Sequence, residues 1–125
     1  MASKVVLMTA LIDQFTTFVT ELSEMYPEDA DFEMFLTTIR LIKSTNPSLI
    51  VKNIYDNTIK YEERIMKKDE QFFLDSSFDD HKEDVDMDIL SKMKQYYSKM
   101  NAASKENVWV YCQNIIRLAK AIHSM

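Results

Sequence analysis

SKENVWVYCQNIIRLAKAIHSM, residues 104–125, decides the fold class of this chain. Val108, Tyr111, Cys112, Ile115, Leu118, Ala119 and Ile122 recur at intervals of three and four, which places them on one face of a 3.6-residue period. A face so apolar must be buried, so the spacing predicts an amphipathic helix at the centre of a bundle. Ser104 is placed as its N-cap and Glu106 in its first turn, with Arg117, Lys120 and His123 toward the C-terminal end, where the helix dipole favours cations. Trp109, the only tryptophan, stands beside the stripe begun by Val108 and is expected in the core.

Outward from this helix the same period recurs. Ile89, Leu90, Met93, Tyr96, Tyr97 and Met100 predict a helix over about 86–101, and the short Asn101-Ala102-Ala103 link makes it an antiparallel neighbour of the last one. At the other end of the chain, Leu7, Leu11, Phe15, Phe18, Leu22 and Met25, widened by Ile12 and Val19, predict a long helix over about 3–25. Tyr26-Pro27 stops it, because the residue before proline is pushed out of the helical region. Asp29 or Asp31 then caps a helix over about 31–44 carrying Phe32, Phe35, Leu36, Ile39 and Ile42. Asn46-Pro47 reads as N-cap and N1 of a third, over about 47–66, with a bend expected near Thr58 in the weak patch Asp56-Asn57-Thr58.

Glycine is absent from all 125 residues, where average usage of about 7% would give roughly nine. The positive-φ hairpin turns and glycine-rich phosphate loops that glycine serves are missing with it. The length suits one domain, residues 1–125, and the fold class is all-α, a single helical bundle of about five helices. The apolar run from Val5 to Ile12 is only eight residues, interrupted by Thr9 and followed by no small-residue cleavage site, so it reads as a helix start and not a signal peptide, and no run of eighteen or more apolar residues exists. Neither secretion nor membrane insertion is therefore expected. A single cysteine, Cys112, on the apolar face favours a reducing compartment and the role of a small buried hydrophobe.

Charge is uneven: residues 1–68 carry a net −2, residues 69–88 a net −8 and residues 89–125 a net +5. Between residues 67 and 88 the helical period breaks. Asp69 caps a short turn over about 69–74 that holds Phe72-Phe73-Leu74, and an acidic connection over about 75–86 follows, with Phe78 as its one large apolar anchor. Asp84, Asp86 and Asp88 mimic the opening of a calcium loop, but Ile89 stands where its glycine is needed and Gln95 where its bidentate glutamate is needed. His81, His123 and Cys112 have no metal-ligand spacing, and Glu62-Glu63 reads as exposed helix with Lys67 offsetting Glu63. No catalytic residue, cofactor or metal is assigned.

Phe72, Phe73, Leu74 and Phe78, aromatic and aliphatic groups set among acids, have the composition of a docking site for a protein partner, or of a pin holding the connection to the bundle. A second reading is a nucleic-acid-associated packaging or regulatory protein. It would use Lys92, Lys94, Lys99, Lys105, Arg117 and Lys120 for phosphates and Tyr96, Tyr97 and Trp109 for stacking, against the handicap of a pI near 5.0. The first reading, a non-enzymatic interaction or structural protein with a protein partner or itself, is the expectation.

Three segments carry a resemblance: IDQFTTFVTELSEMYPED over 12–29, KKDEQFFLDSSF over 67–78 and NVWVYCQNIIRLAKAI over 107–122. Together they resemble a group of short helical proteins encoded by large DNA viruses of algae and protists. The resemblance implies a viral setting, in the virion or the host cytoplasm, and brings no enzymatic activity and no catalytic residues.

Overall fold

The computed structural model describes residues 3–74 and 89–125. Among these, every regular element is helical: α1 (Lys4–Met25), α2 (Ala30–Thr45), α3 (Pro47–Thr58), α4 (Glu62–Met66), α5 (Gln71–Leu74), α6 (Ile89–Tyr96) and α7 (Ala102–His123). The all-α bundle expected from the sequence is what forms. The acidic connection at 75–86, and with it Phe78, His81 and the Asp84–Asp88 triplet, lies outside the described residues.

α1 and α7 pair antiparallel along their length, and α3 and α4 pack on α7 while α2 packs on α1. The pairing order follows from the contacts: Tyr111 donates to Glu21, Asn114 Nδ2 donates to Gln14 Oε1 at 3.0 Å, and Met8 faces Ala119 and Ile122. The stripes read from the sequence supply one continuous core. Leu11, Ile12, Phe15, Phe18, Val19 and Leu22 come from α1, and Val108, Trp109, Cys112, Ile115, Ile116, Ala119 and Ile122 from α7. Ile116 widens the face beyond the predicted stripe, because α7 is gripped by α1 on one side and by α3 and α4 on the other. By length and composition α1 is also apolar enough to cross a membrane, which the run-length reading did not anticipate; its apolar stripe is core.

Several boundaries differ from expectation, each for a local reason. α7 starts at Ala102, not Ser104: Asn101, in extended conformation, accepts a hydrogen bond from Ser104 N at 2.8 Å and is the N-cap. Glu106 thereby falls beyond the first turn, where it pairs with Lys68 at 2.7 Å. Asp29 caps α2 through Asp31 N at 3.0 Å. Asn46 stands at the N-cap of α3, with Pro47 at N1, but its side chain makes no capping bond. The bend expected near Thr58 is a 3-10 turn over Ile59–Tyr61 that divides the predicted 47–66 helix into α3 and α4. α4 ends with Lys68 at φ 54°, Lys68 N bonding Ile65 O and Asp69 N bonding Arg64 O. That is a Schellman ending, in which a glycine-free chain must put a lysine where glycine is usual.

Candidate functional site

The residues singled out for docking divide in the structure. Phe72 and Phe73 are 1% and 0% exposed, whereas Leu74 is 48% exposed. The first two are therefore corrected from surface to core. Asp69 Oδ1 accepts from Gln71 N at 3.1 Å and turns α5 so that both rings point inward. The ring of Phe73 lies 5.0 Å from Tyr97 and 4.9 Å from Trp109, and Phe72 packs on Tyr61 at 5.0 Å beneath the guanidinium of Arg64. Trp109 Nε1 donates to Tyr97 Oη at 2.9 Å, and that hydroxyl donates to Glu70 Oε2 at 2.9 Å. Burial, first, and the Glu70 carboxylate push the Tyr97 phenol upward, so it stays a neutral donor. A partner reaching Phe73 would have to dismantle this cluster.

Most of the groups suggested for nucleic-acid contact are also in structural use. Tyr97 and Trp109 are buried. Lys92 pairs with Asp29 at 2.8 Å and Asp31 at 2.7 Å, and Tyr96 donates to Asp29 while stacking on Tyr26 at 4.0 Å. This clasp holds α6 to the α1–α2 turn, and the hydrogen bonds from Lys92 and Tyr96 hold the Asp29 carboxyl below the usual range. Lys120 is paired with Glu62 at 2.7 Å, and the Lys105 ammonium sits 5.1 Å from the Tyr97 ring. Cys112 is buried, with its thiol pushed up to about 12 by desolvation, which leaves it protonated and unreactive at neutral pH.

The opposite end of the bundle is open. There the first turns of α1, most of α3 and the last turn of α7 line a groove of about 450 Å³, within the range of ordinary ligand and anchor-residue sites. Met8, Val51, Tyr55, Ala119 and Ile122 make its floor. Lys4, Ser48, Lys52, Asp56 and His123 make its rim, with Lys52 paired to Asp56 at 2.7 Å and His123 stacked on Tyr55 at 4.1 Å. Val5 is three residues from Met8, and Leu49 three from Lys52, so each neighbours the groove on its own helix surface. Val5 is 71% exposed and Leu49 48%. A cavity beside Cys112, of about 50 Å³, has room only for water-sized guests.

Sequence reasoning missed this site. Val51, Ala119 and Ile122 of its floor are core residues, and the packing leaves Met8 and Tyr55 beside them only half-buried at the end of the bundle. The one sequence signal was an excess: Val5, Val6 and Leu49 are apolar residues that those stripes do not require.

The chain was compared with protein-family models, with curated proteins and with solved structures, and nothing matches it.

Proposed function

We propose that this protein is a non-enzymatic interaction or structural protein, and that it meets a protein partner through the open end formed by α1, α3 and α7. The observation that carries the reading is the groove itself, in which Met8, Val51, Tyr55, Ala119 and Ile122 lie beneath a polar rim, with exposed Val5 and Leu49 each three residues from a lining residue on its own helix. Apolar surface gathered at one end and rimmed by polar groups is the arrangement that marks contact sites on soluble proteins. In the viral setting suggested by the resemblance, such a contact would serve assembly, in the virion or in the host cytoplasm.

The test is affinity recovery from the native source with the parent protein and with a Val5→Asp/Leu49→Asp variant. Both changes are on exposed side chains, so folding is expected to survive them. Loss of a specific partner at unchanged melting temperature supports the reading. A partner retained equally by both proteins sinks it.

A further inference from the structure

We infer that the outward face of α2 is a self-association surface, on which α2 of a second copy lies antiparallel. It is separate from the groove, which α2 does not line. α2 buries Phe32, Phe35, Leu36 and Ile39 as it packs on α1 and α3. A surface helix ordinarily carries charge on the face opposite its buried stripe. Here Met34, Thr38, Leu41 and Thr45 step by four, three and four along that face, Thr37 widens the strip, and no charged residue falls among them. Met34 is 54% exposed and Leu41 64%. The threonine hydroxyls are turned back onto the helix: Thr37 Oγ1 donates to Glu33 O at 3.1 Å, Thr38 Oγ1 to Met34 O at 3.0 Å and Thr45 Oγ1 to Leu41 O at 3.1 Å. What each offers a neighbour is therefore chiefly its methyl group.

Charge complementarity identifies the occupant. Glu33 and Arg40 are both exposed and flank the strip on one side, seven residues apart, too far for the usual three- or four-residue pair. Neither has an ion-pair partner among the described residues, whereas Asp31 and Lys43, the other charges of α2, are engaged by Lys92 and Asp13. Seven is also the spacing of Met34 and Leu41. In an antiparallel pair with its two-fold axis at Thr37-Thr38, Met34 of each copy lies against Leu41 of the other, and Glu33 faces Arg40 twice along the same flank. Parallel placement would instead bring Glu33 beside Asp31 of the other copy and align the two helix dipoles. The strip alone would suit any apolar helix; an unpaired acid and an unpaired base at the seam's own spacing single out α2 reversed. At 16 residues α2 is about 24 Å long. One helix pair of that length is small among protein interfaces, so the dimer forms only at high concentration.

The experiment is sedimentation of the full chain from about 10 μM to about 1 mM, the range in which a small interface is populated. The parent should show a concentration-dependent monomer–dimer equilibrium. Leu41→Asp should stay monomeric at every concentration, with its melting temperature unchanged because the side chain is exposed. Glu33→Arg and Arg40→Glu each set like charges across the flank and should weaken the dimer several-fold. The double exchange Glu33→Arg/Arg40→Glu restores opposite charges in reversed order and should recover most of the parent's affinity. A parent that is monomeric throughout overturns the inference, and so does a dimer indifferent to Leu41→Asp. A dimer lost with Leu41→Asp but not recovered by the double exchange overturns the antiparallel arrangement. Self-association abolished by Val5→Asp/Leu49→Asp and untouched by Leu41→Asp puts the second copy at the groove, and overturns the α2 assignment.

Discussion

Trp109 and His123 stand on the same helix, α7, and the molecule treats their surroundings in opposite ways. Around Trp109 the rings of Phe73 and Tyr97, with the Tyr97 hydroxyl bonded to Glu70, bury the indole to 3% exposure beneath a hollow of about 360 Å³ whose rim is charged, from Lys68, Glu70, Lys105 and Glu106. Around His123 the neighbouring helices begin or end, and an apolar floor is left open beneath a polar rim. The first end has every polar tip of its aromatic cluster satisfied, which is how buried tyrosine and tryptophan avoid a desolvation cost. The second keeps apolar atoms in contact with water, which weakens folding slightly and is useful only when something covers them. A hydrogen-bonded aromatic cluster and an apolar-floored groove thus belong to different ends of one helix.

The sharpest way to break this contrast is at the aromatic cluster. Trp109→Ala and Phe73→Ala should each cost about 3–5 kcal/mol, the usual range for aromatic truncation in a core, read as a large fall in the thermal midpoint by circular dichroism. A variant melting within a degree or two of the parent would show that the cluster is not core.

The clasp comes next in size. Lys92→Met should cost about 2 kcal/mol near pH 7 through lost charge-assisted bonds, since Lys92 and Asp29 are 14% and 12% exposed. Asp29 is held below its ordinary value, so its contribution is present above about pH 4 and disappears as pH falls through its lowered native value. Burial pulls the Lys92 ammonium down, but its two carboxylate partners outweigh this and hold it upward, so its share persists until strongly alkaline pH. The gap in melting temperature between parent and Lys92→Met should therefore be wide near neutrality and narrow in acid. A gap independent of pH would mean that Lys92 contributes by packing alone.

Lys68→Gly should raise stability by up to about 1 kcal/mol. Relief of a left-handed residue is worth about 1–2 kcal/mol, less the extra freedom glycine gives the unfolded chain and the exposed pair with Glu106. A destabilised variant would give that pair a larger role than exposure predicts. The smallest effects belong to the open end: Val5→Asp and Leu49→Asp should each change stability by less than about 0.5 kcal/mol, and a large loss for either would show the groove margin to be core.

Most of the helical architecture was legible because burial and periodicity are coupled. Leu11, Phe15, Phe18 and Leu22 could face one way only, and Pro27 and Pro47 mark ends because proline constrains the backbone locally. Cap choice was less legible. Asn101 and Ser104 are both favoured capping residues three positions apart, and which accepts the amide depends on where the 3-10 turn at Tyr97–Lys99 delivers the chain. Phe72 and Phe73 were ambiguous for another reason: four helical residues are too few to define a face, so their burial is set by Tyr97 and Trp109, distant in sequence.

By itself, then, the sequence determined what is local or periodic: an all-helical chain without glycine turns, the long apolar faces of α1 and α7, and a thiol placed in the core. Tertiary structure alone decided which apolar groups stay uncovered. The groove draws two residues from α1, five from α3 and three from α7, and a residue's exposure there depends on where neighbouring helices stop, a quantity no local spacing encodes.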